Sequence, residues 1–268
     1  MSWKIVHDHA DPSGGLDLAA ARRQRLGALV DARRAVRLED LSAALGVSQA
    51  TVRRDLNALA AAGRLRRVHG GAVAVDQRLD EPHFDVKASA AAEEKARIAT
   101  RAVELLAPDD TVYLDSGSTV LGLARLLHGW TRLTVVTNSL PVATELVGRG
   151  PRLIVVGGEV RATSRAIVGP LTRPLLESLH VDRAVMGTFA LALEDGMTTT
   201  DPAEAYTKQL VMERAREVIL LADHTKIGTR SFVTAGRLEA VHILVTDAAI
   251  DERTERSLER RGIRVITA

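Results

Sequence analysis

At 268 residues the chain is long enough for two domains, and with 46% hydrophobic but only 3% aromatic residues its cores must be built from Val, Leu, Ile and Ala. There is no cysteine, which excludes disulfides and thiolate metal sites, and no apolar run approaches the roughly 20 residues that span a bilayer. The net charge of +2 hides an asymmetry: residues 1–75 carry 12 basic against 7 acidic side chains (+5) and the rest 24 against 27 (−3), so an anionic partner belongs with the front of the chain.

Residues 1–17 are polar, contain Pro12-Ser13-Gly14-Gly15, and are expected to form a loose extension. They lack the apolar stretch of a secretory leader, so a cytoplasmic protein without a membrane partner is expected. From Arg22 onward Leu26, Leu29 and Val30 share one helical face, and Leu38, Leu41 and Leu45 mark a second, short helix. The run Leu45-Gly46-Val47-Ser48-Gln49-Ala50-Thr51-Val52-Arg53-Arg54-Asp55-Leu56 then reads as the turn and second helix of a helix-turn-helix. Gly46 supplies the turn, Ser48 can cap the new helix, and Val52, Leu56 and Leu59 face a core. Ala50, Arg53, Arg54 and Asn57 fall on the outward face, with Ser48, Gln49 and Thr51 at its start. Such side chains suit base edges and phosphates in a major groove. The competing reading is a solvated helix face that carries two arginines.

Gly63 is placed to end that helix, and the stretch from Leu65 to Val73 resembles two strands around Gly70-Gly71. Residues 18–75 are therefore predicted to be a winged helix-turn-helix for double-stranded operator DNA, with Arg66, Arg67 and His69 of the wing available to phosphates or the minor groove. Residues 76–92, polar and interrupted by Pro82, read as a linker with room for a helical turn.

From residue 93 to 268 short apolar strands alternate with helix-length segments. The strands are expected at 111–115, 133–137, 153–157, 183–187, 218–222, 243–246 and 264–266, with helices at 95–106, 120–127, 141–148 and 203–215. That alternation implies an α/β fold, a mostly parallel sheet covered on both faces. Ligands of such sheets bind at the C-terminal ends of strands. Asp115-Ser116-Gly117-Ser118-Thr119 follows the first strand into a helix, and its N–H groups and hydroxyls suit a phosphate oxygen. Asn138 and Ser139, Gly157 and Gly158, the loop from Asp195 to Thr200, and Asp223-His224-Thr225-Lys226 follow later strands.

Glu204 and Lys208, at i and i+4, form either a surface ion pair or part of a site. Leu123 stands where a nucleotide P-loop needs lysine, and Glu159 after Gly157-Gly158 breaks a dinucleotide pattern, so no cofactor is expected. The eight histidines lack ligand spacing, so no metal is expected either.

Leu45-Gly46-Val47-Ser48, Thr51-Val52-Arg53-Arg54-Asp55-Leu56 and His69-Gly70-Gly71-Ala72 resemble the DeoR family of bacterial transcription regulators. Downstream, Glu94-Lys95-Ala96-Arg97-Ile98-Ala99, Asp115-Ser116-Gly117-Ser118-Thr119, Val136-Thr137-Asn138-Ser139, Gly157-Gly158, Val168-Gly169-Pro170 and Asp223-His224-Thr225-Lys226 resemble the same family's sensor. The resemblance implies a repressor of a carbohydrate-utilisation operon, with a sensor fold similar to ribose-5-phosphate isomerase and a phosphorylated sugar or sugar derivative as effector. It implies that residues 115–119, Asn138, Gly157, Gly158, Lys208 and Lys226 line the effector site, to which position adds Ser139, Asp195 and Asp223. A dimer or higher homo-oligomer is expected on two-fold DNA sites. Two departures stand out: Ser118 where the family usually has threonine, and Gly187-Thr188-Phe189-Ala190-Leu191 in place of a glycine-rich run. The alternative is a sugar-phosphate isomerase with an appended helical domain, for which Asp115, Asp195, Glu204 and Lys208 could supply base and electrophile.

Overall fold

In the computed structural model residues 14–33, 35–61, 64–68, 70–74, 81–248 and 250–268 are described, and the chain divides into two compact units, Met1–Val75 and Asp76–Ala268. The first unit runs α1 (Gly14–Arg33), β1 (Ala35–Arg37), α2 (Leu38–Leu45), α3 (Gln49–Ala61), β2 (Leu65–Val68) and β3 (Gly71–Ala74). Leu26 and Val30 of α1, Leu41 of α2, and Val52 and Leu56 of α3 are wholly buried against Val36, Leu65 and Ala72 of the sheet. The strands lie in the order β1-β3-β2 with both pairings antiparallel. The sequence pattern does not announce β1, which is three residues long. Gly71 allows the close approach of β3 to β1, since a Cβ there would sit 2.2 Å from the Val36 carbonyl oxygen.

Helix α1 begins at Gly14, so residues 14–17, expected in the loose extension, are its first turn. Ala19, Ala20 and Ala21 have high helix propensity and no breaker separates them from Arg22. The remainder of that extension, the expected stop at Gly63 and the wing residue His69 lie outside the described residues.

In the second unit the elements are α4 (Phe84–Ser89), α5 (Ala92–Val103), β4 (Thr111–Leu114), α6 (Ser118–Arg125), β5 (Thr134–Thr137), α7 (Leu140–Leu146), β6 (Arg152–Val155), β7 (Glu159–Arg161), β8 (Ala166–Val168), α8 (Arg173–Ser178) and β9 (Val181–Gly187). They continue with β10 (Ala190–Ala192), β11 (Gly196–Thr199), α9 (Pro202–Met212), β12 (Ala215–Leu221), β13 (Val233–Gly236), β14 (Ile243–Thr246), α10 (Glu252–Glu259) and β15 (Arg264–Thr267). Each of the seven expected strands is a member of one all-parallel sheet, in the order β15-β14-β12-β9-β4-β5-β6.

Side-chain alternation along the strands builds two cores. Val112 and Leu114 join Ile98 of α5, Leu123 of α6 and Val142 of α7 on one face. Tyr113 joins Leu176 of α8, Val211 of α9 and Leu258 of α10 on the other. A small antiparallel sheet, β10-β11-β13, covers part of that second face. The chain winds outward from β4 in both directions, so the topological switch point lies between β4 and β9.

Residues 81–92, expected in the linker, are built into this unit: α4 buries Phe84 in the first core and the Phe84 N–H donates to the Thr163 carbonyl at 2.9 Å. Residues 76–80 lie outside the described ones. Among the described residues no helix is long and apolar enough to cross a membrane.

Candidate functional site

Helix α3 is set by its turn. Gly46 closes α2 in the left-handed conformation at φ 66°, and the Ser42 hydroxyl donates to the Val47 carbonyl at 2.6 Å. The Thr51 N–H then donates to Ser48 Oγ at 3.3 Å, the cap expected from sequence. Inward-facing Asp55 is buried, and it holds Arg22 of α1 through Nε at 2.5 Å and Nη2 at 3.2 Å, which fixes α3 against α1.

Ser48, Gln49, Ala50, Arg53, Arg54 and Asn57 are exposed, Thr51 is half-buried, and among the described residues Arg53 and Arg54 make no ion pair. Arg66 is exposed on β2. Arg67 is committed elsewhere: its Nη1 donates to Asn57 Oδ1 at 2.7 Å and to the Arg53 carbonyl at 3.4 Å. It braces the outward face of α3, so of the two wing arginines only Arg66 is free of that task.

In the second unit the switch point carries the polar constellation. Asp115, 1% exposed at the end of β4, accepts the Gly187 N–H at 3.0 Å and forms an ion pair with Lys208 of α9. Lys208 also donates to the Gly187 carbonyl at 2.9 Å. Four residues earlier on α9, Glu204 pairs with Arg161 of β7 at 3.2 Å and accepts the Thr199 hydroxyl at 3.0 Å. Glu204 and Lys208 therefore pair with separate partners rather than with each other.

Arg161 reaches Glu81 at 2.6 Å, Glu81 pairs with Lys87 of α4, and the Thr200 hydroxyl donates to Glu81 at 2.7 Å. The Lys87 carbonyl accepts the Ser118 hydroxyl at 3.2 Å, which returns the chain of contacts to the loop that begins at Asp115. Lys95 of α5 donates to the carbonyls of Lys87 and Ala90, the latter at 2.5 Å, and so fixes the C-terminal end of α4. Lys226 completes the set. Its Nζ lies 5.5 Å from the centre of the Phe189 ring, and among the described residues it makes no ion pair.

Burial pushes Lys226 below the usual lysine range, with Lys87 adding to the shift while Asp223 and Glu81 oppose it. Lys95 is lowered for the same first reason, reinforced by Lys226 and Lys87. Burial acts to raise Glu81, but Lys87, Thr200 and Arg161 together hold it below the usual carboxylate range. Two buried acceptors, Asp115 Oδ1 and Asn138 Oδ1, have no hydrogen-bond partner among the described residues. Cations, hydroxyls and helix-start N–H groups so gathered suit an oxygen-rich anion that also presents hydroxyl donors.

The residues expected from sequence divide clearly. Asp115, Ser116, Gly117, Ser118, Thr119 and Lys208 lie at the switch point, with Ser116 and Thr119 buried. Asn138 is buried and ties β5 to β8 through its Nδ2 donating to the Ile167 carbonyl at 3.0 Å. Ser139 is spent on capping α7, accepting the Val142 N–H at 3.4 Å. Asp223 accepts the Thr225 N–H at 3.1 Å and shapes the turn that presents Lys226. Gly157 and Gly158 are exposed after the edge strand β6. Asp195 stands apart from these: the segment after β9 is an antiparallel hairpin, and Asp195 sits in its turn beside Arg230 at 3.7 Å. Sequence reasoning missed Glu81, Lys87, Lys95 and Arg161 as members. Among the described residues no group of His, Asp and Glu is arranged to hold a metal.

At the rim, His224 Nδ1 lies 2.8 Å from Asp247 Oδ2, and the His224 N–H donates to Asp247 Oδ1 at 2.7 Å. The bond to Asp247 raises His224 above its ordinary 6.5 against the opposing effect of burial. Burial acts to raise Asp247, but the bonds from His224 hold it below its ordinary 3.8. The pair's stabilisation is therefore lost as pH rises through the raised histidine value, and also as pH falls through the lowered aspartate value. An NMR titration is expected to place His224 above 6.5, and Asp247→Asn to bring it down; an unchanged midpoint would refute the pairing.

A capped helix-turn-helix with a wing, followed by a parallel α/β unit with a charged switch point, defines a two-part DNA-binding regulator. Residues 22–78 match the DeoR-like helix-turn-helix domain and residues 90–248 the DeoR C-terminal sensor domain. The chain belongs to the DeoR family of transcription regulators. It is 37% identical over 249 residues to the HTH-type transcriptional regulator GlpR of Haloferax volcanii, covering 93% of this chain and 98% of that one. It is 34% identical to the HTH-type transcriptional regulator GolR of Listeria innocua over 91% and 96% of the two chains. The glycerol-3-phosphate regulon repressor of Escherichia coli is 34% identical over 80% of this chain and 84% of its own. All three are named as regulators or repressors, none as an enzyme. A solved ribose-5-phosphate isomerase A from Methanocaldococcus jannaschii aligns with 52% of this chain and 55% of its own, at 18% identity and a TM-score of 0.39.

Proposed function

We propose that this regulator represses a carbohydrate-utilisation operon and that a phosphorylated sugar or sugar derivative, bound at the switch point, releases it from its operator or retunes it there. The observation that carries the reading is the gathering of Lys87, Lys208, Lys226 and Arg161 around the loop 115–119, with Lys226 lacking a carboxylate partner among the described residues. A phosphate group supplies the missing counter-charge, and Asp115 Oδ1 and Asn138 Oδ1 can accept from sugar hydroxyls. That one relative is named for a glycerol-3-phosphate regulon agrees with a small phosphorylated polyol as effector. The protein would act in the cytoplasm as a homo-oligomer on two-fold related half-sites. The effector would shift operator affinity by as much as it prefers one state over the other.

The test is a thermal-shift panel of sugar and polyol phosphates, with hits assayed for release of the protein from its own upstream DNA. A true effector at 100 times its Kd adds about 2.7 kcal/mol, which raises Tm by about 5–10 °C in a domain of this size. Lys226→Met is expected to abolish that shift while leaving operator binding without effector intact. A panel that produces no shift would remove the sugar-phosphate assignment.

A further inference from the structure

Glu81 occupies the ring of charges from within. Its carboxylate, 4% exposed, holds Lys87 with one oxygen, and with the other accepts from Arg161 at 2.6 Å and from the Thr200 hydroxyl at 2.7 Å. Guanidinium, ammonium and hydroxyl around one anionic group is the donor set that phosphate recognition uses. Glu81 stands ahead of a well-anchored helix: α4 is six residues long, buries Phe84, pairs Asp85 with Arg165 at 2.5 Å, and is fixed at its far end by Lys95 and Ser118. In the chain, Glu81 follows the last strand of the DNA-reading unit.

We propose that Glu81 is an internal counter-anion of the effector site, holding Lys87, Arg161 and Thr200 until a phosphate group takes them, so that effector binding releases Glu81, the first described residue after β3, while Lys87 keeps α4 at the site. This rests on the reading of the switch point as a phosphate-binding site. Phosphate and the Glu81 carboxylate compete for the same donors, so occupation by one weakens the other by the same factor. Asp201 and Glu204 keep Arg161 in place when Glu81 leaves, at 3.2 Å each. The device thus displaces the Glu81 carboxylate and leaves Arg161 and Lys87 where they are.

The experiment uses the full chain with inorganic phosphate as probe, titrated by calorimetry. Glu81→Gln keeps the shape but cannot neutralise two cations. It is expected to bind phosphate about 5- to 150-fold more tightly than the native protein, the range of ordinary coupling, and to bind operator DNA more weakly without phosphate. Equal phosphate affinity in the two proteins, with binding lost in Lys226→Met, would overturn the counter-anion and leave the site standing. Phosphate binding in neither protein would overturn the site itself.

Since Glu81→Gln leaves two buried cations short of charge and can fail to fold, hydrogen exchange on the native chain is the second arm. Phosphate is expected to speed exchange at Glu81 and His83, ahead of α4, while slowing it at 115–119. Slower exchange at Glu81 and His83 would refute the proposal.

Discussion

Lys208→Ala is expected to destabilise the C-terminal unit by about 3–5 kcal/mol, the cost of stranding a buried charge. Asp115 is 1% exposed, and Lys208 is its counter-ion; without it the carboxylate keeps, among the described residues, only the Gly187 N–H at 3.0 Å. Lys208 also donates to the Gly187 carbonyl at 2.9 Å, so its loss loosens the junction of β4 and β9 at the switch point. In a domain of this size the loss corresponds to a fall in Tm of about 6–20 °C, read by circular dichroism or scanning calorimetry. The double variant Asp115→Asn with Lys208→Met removes both charges and is expected to recover most of the stability without recovering any phosphate-dependent stabilisation. A single variant that melts with the native protein would show that the pair is solvated in solution.

That pair also shows what a linear reading can reach. The seven parallel strands were legible because each carries a short apolar run and most alternate with helix-length segments, and Asp115 because it stands at the end of one. The strands β10, β11 and β13 were not, being three or four residues long and, in β11, buried on every residue, which erases the alternation that marks a half-exposed strand. Without them the stretch 195–200 reads as a polar loop, whereas β11 occupies most of it and Asp195 stands in the hairpin turn.

Glu81 and Lys87 sit in an aperiodic stretch broken by Pro82, and their roles come from distant partners: Arg161 is 80 positions away and Thr200 is 119. No local pattern encodes such contacts. The one available signal was Phe84, a rare aromatic in a segment otherwise read as a linker, which the core claims. The reading helix, by contrast, was almost fully legible, because its turn, cap and inward stripe are contiguous in sequence. What was not legible rests on tertiary contacts: the wing's use of Arg67 as a brace, and the pairing of Asp55 with Arg22.

Arg53→Ala is expected to lower specific operator affinity by about 1–3 kcal/mol, with relaxed preference at one base position, if its guanidinium reads a base edge. Arg53 is exposed on α3, whereas Val52 and Leu56 on its inward face are wholly buried. Its backbone carbonyl is steadied by Arg67 at 3.4 Å, while its side chain makes no ion pair among the described residues. Arg67→Ala provides the contrast. It releases Asn57 without removing an outward guanidinium from α3, so it is expected to weaken binding through loss of order, with the sequence preference of Arg53 retained.

Anisotropy titrations at several salt concentrations on operator and on single-base variants separate the cases. A phosphate contact by Arg53 would weaken all sequences alike and reduce the salt slope by about 1. No loss in Arg53→Ala, at any salt, would overturn α3 as the reading helix. Because Arg54 lies one residue further around the exposed face, the double variant discriminates further: about additive losses indicate independent contacts, and a shortfall indicates that the two arginines share one phosphate or one base step.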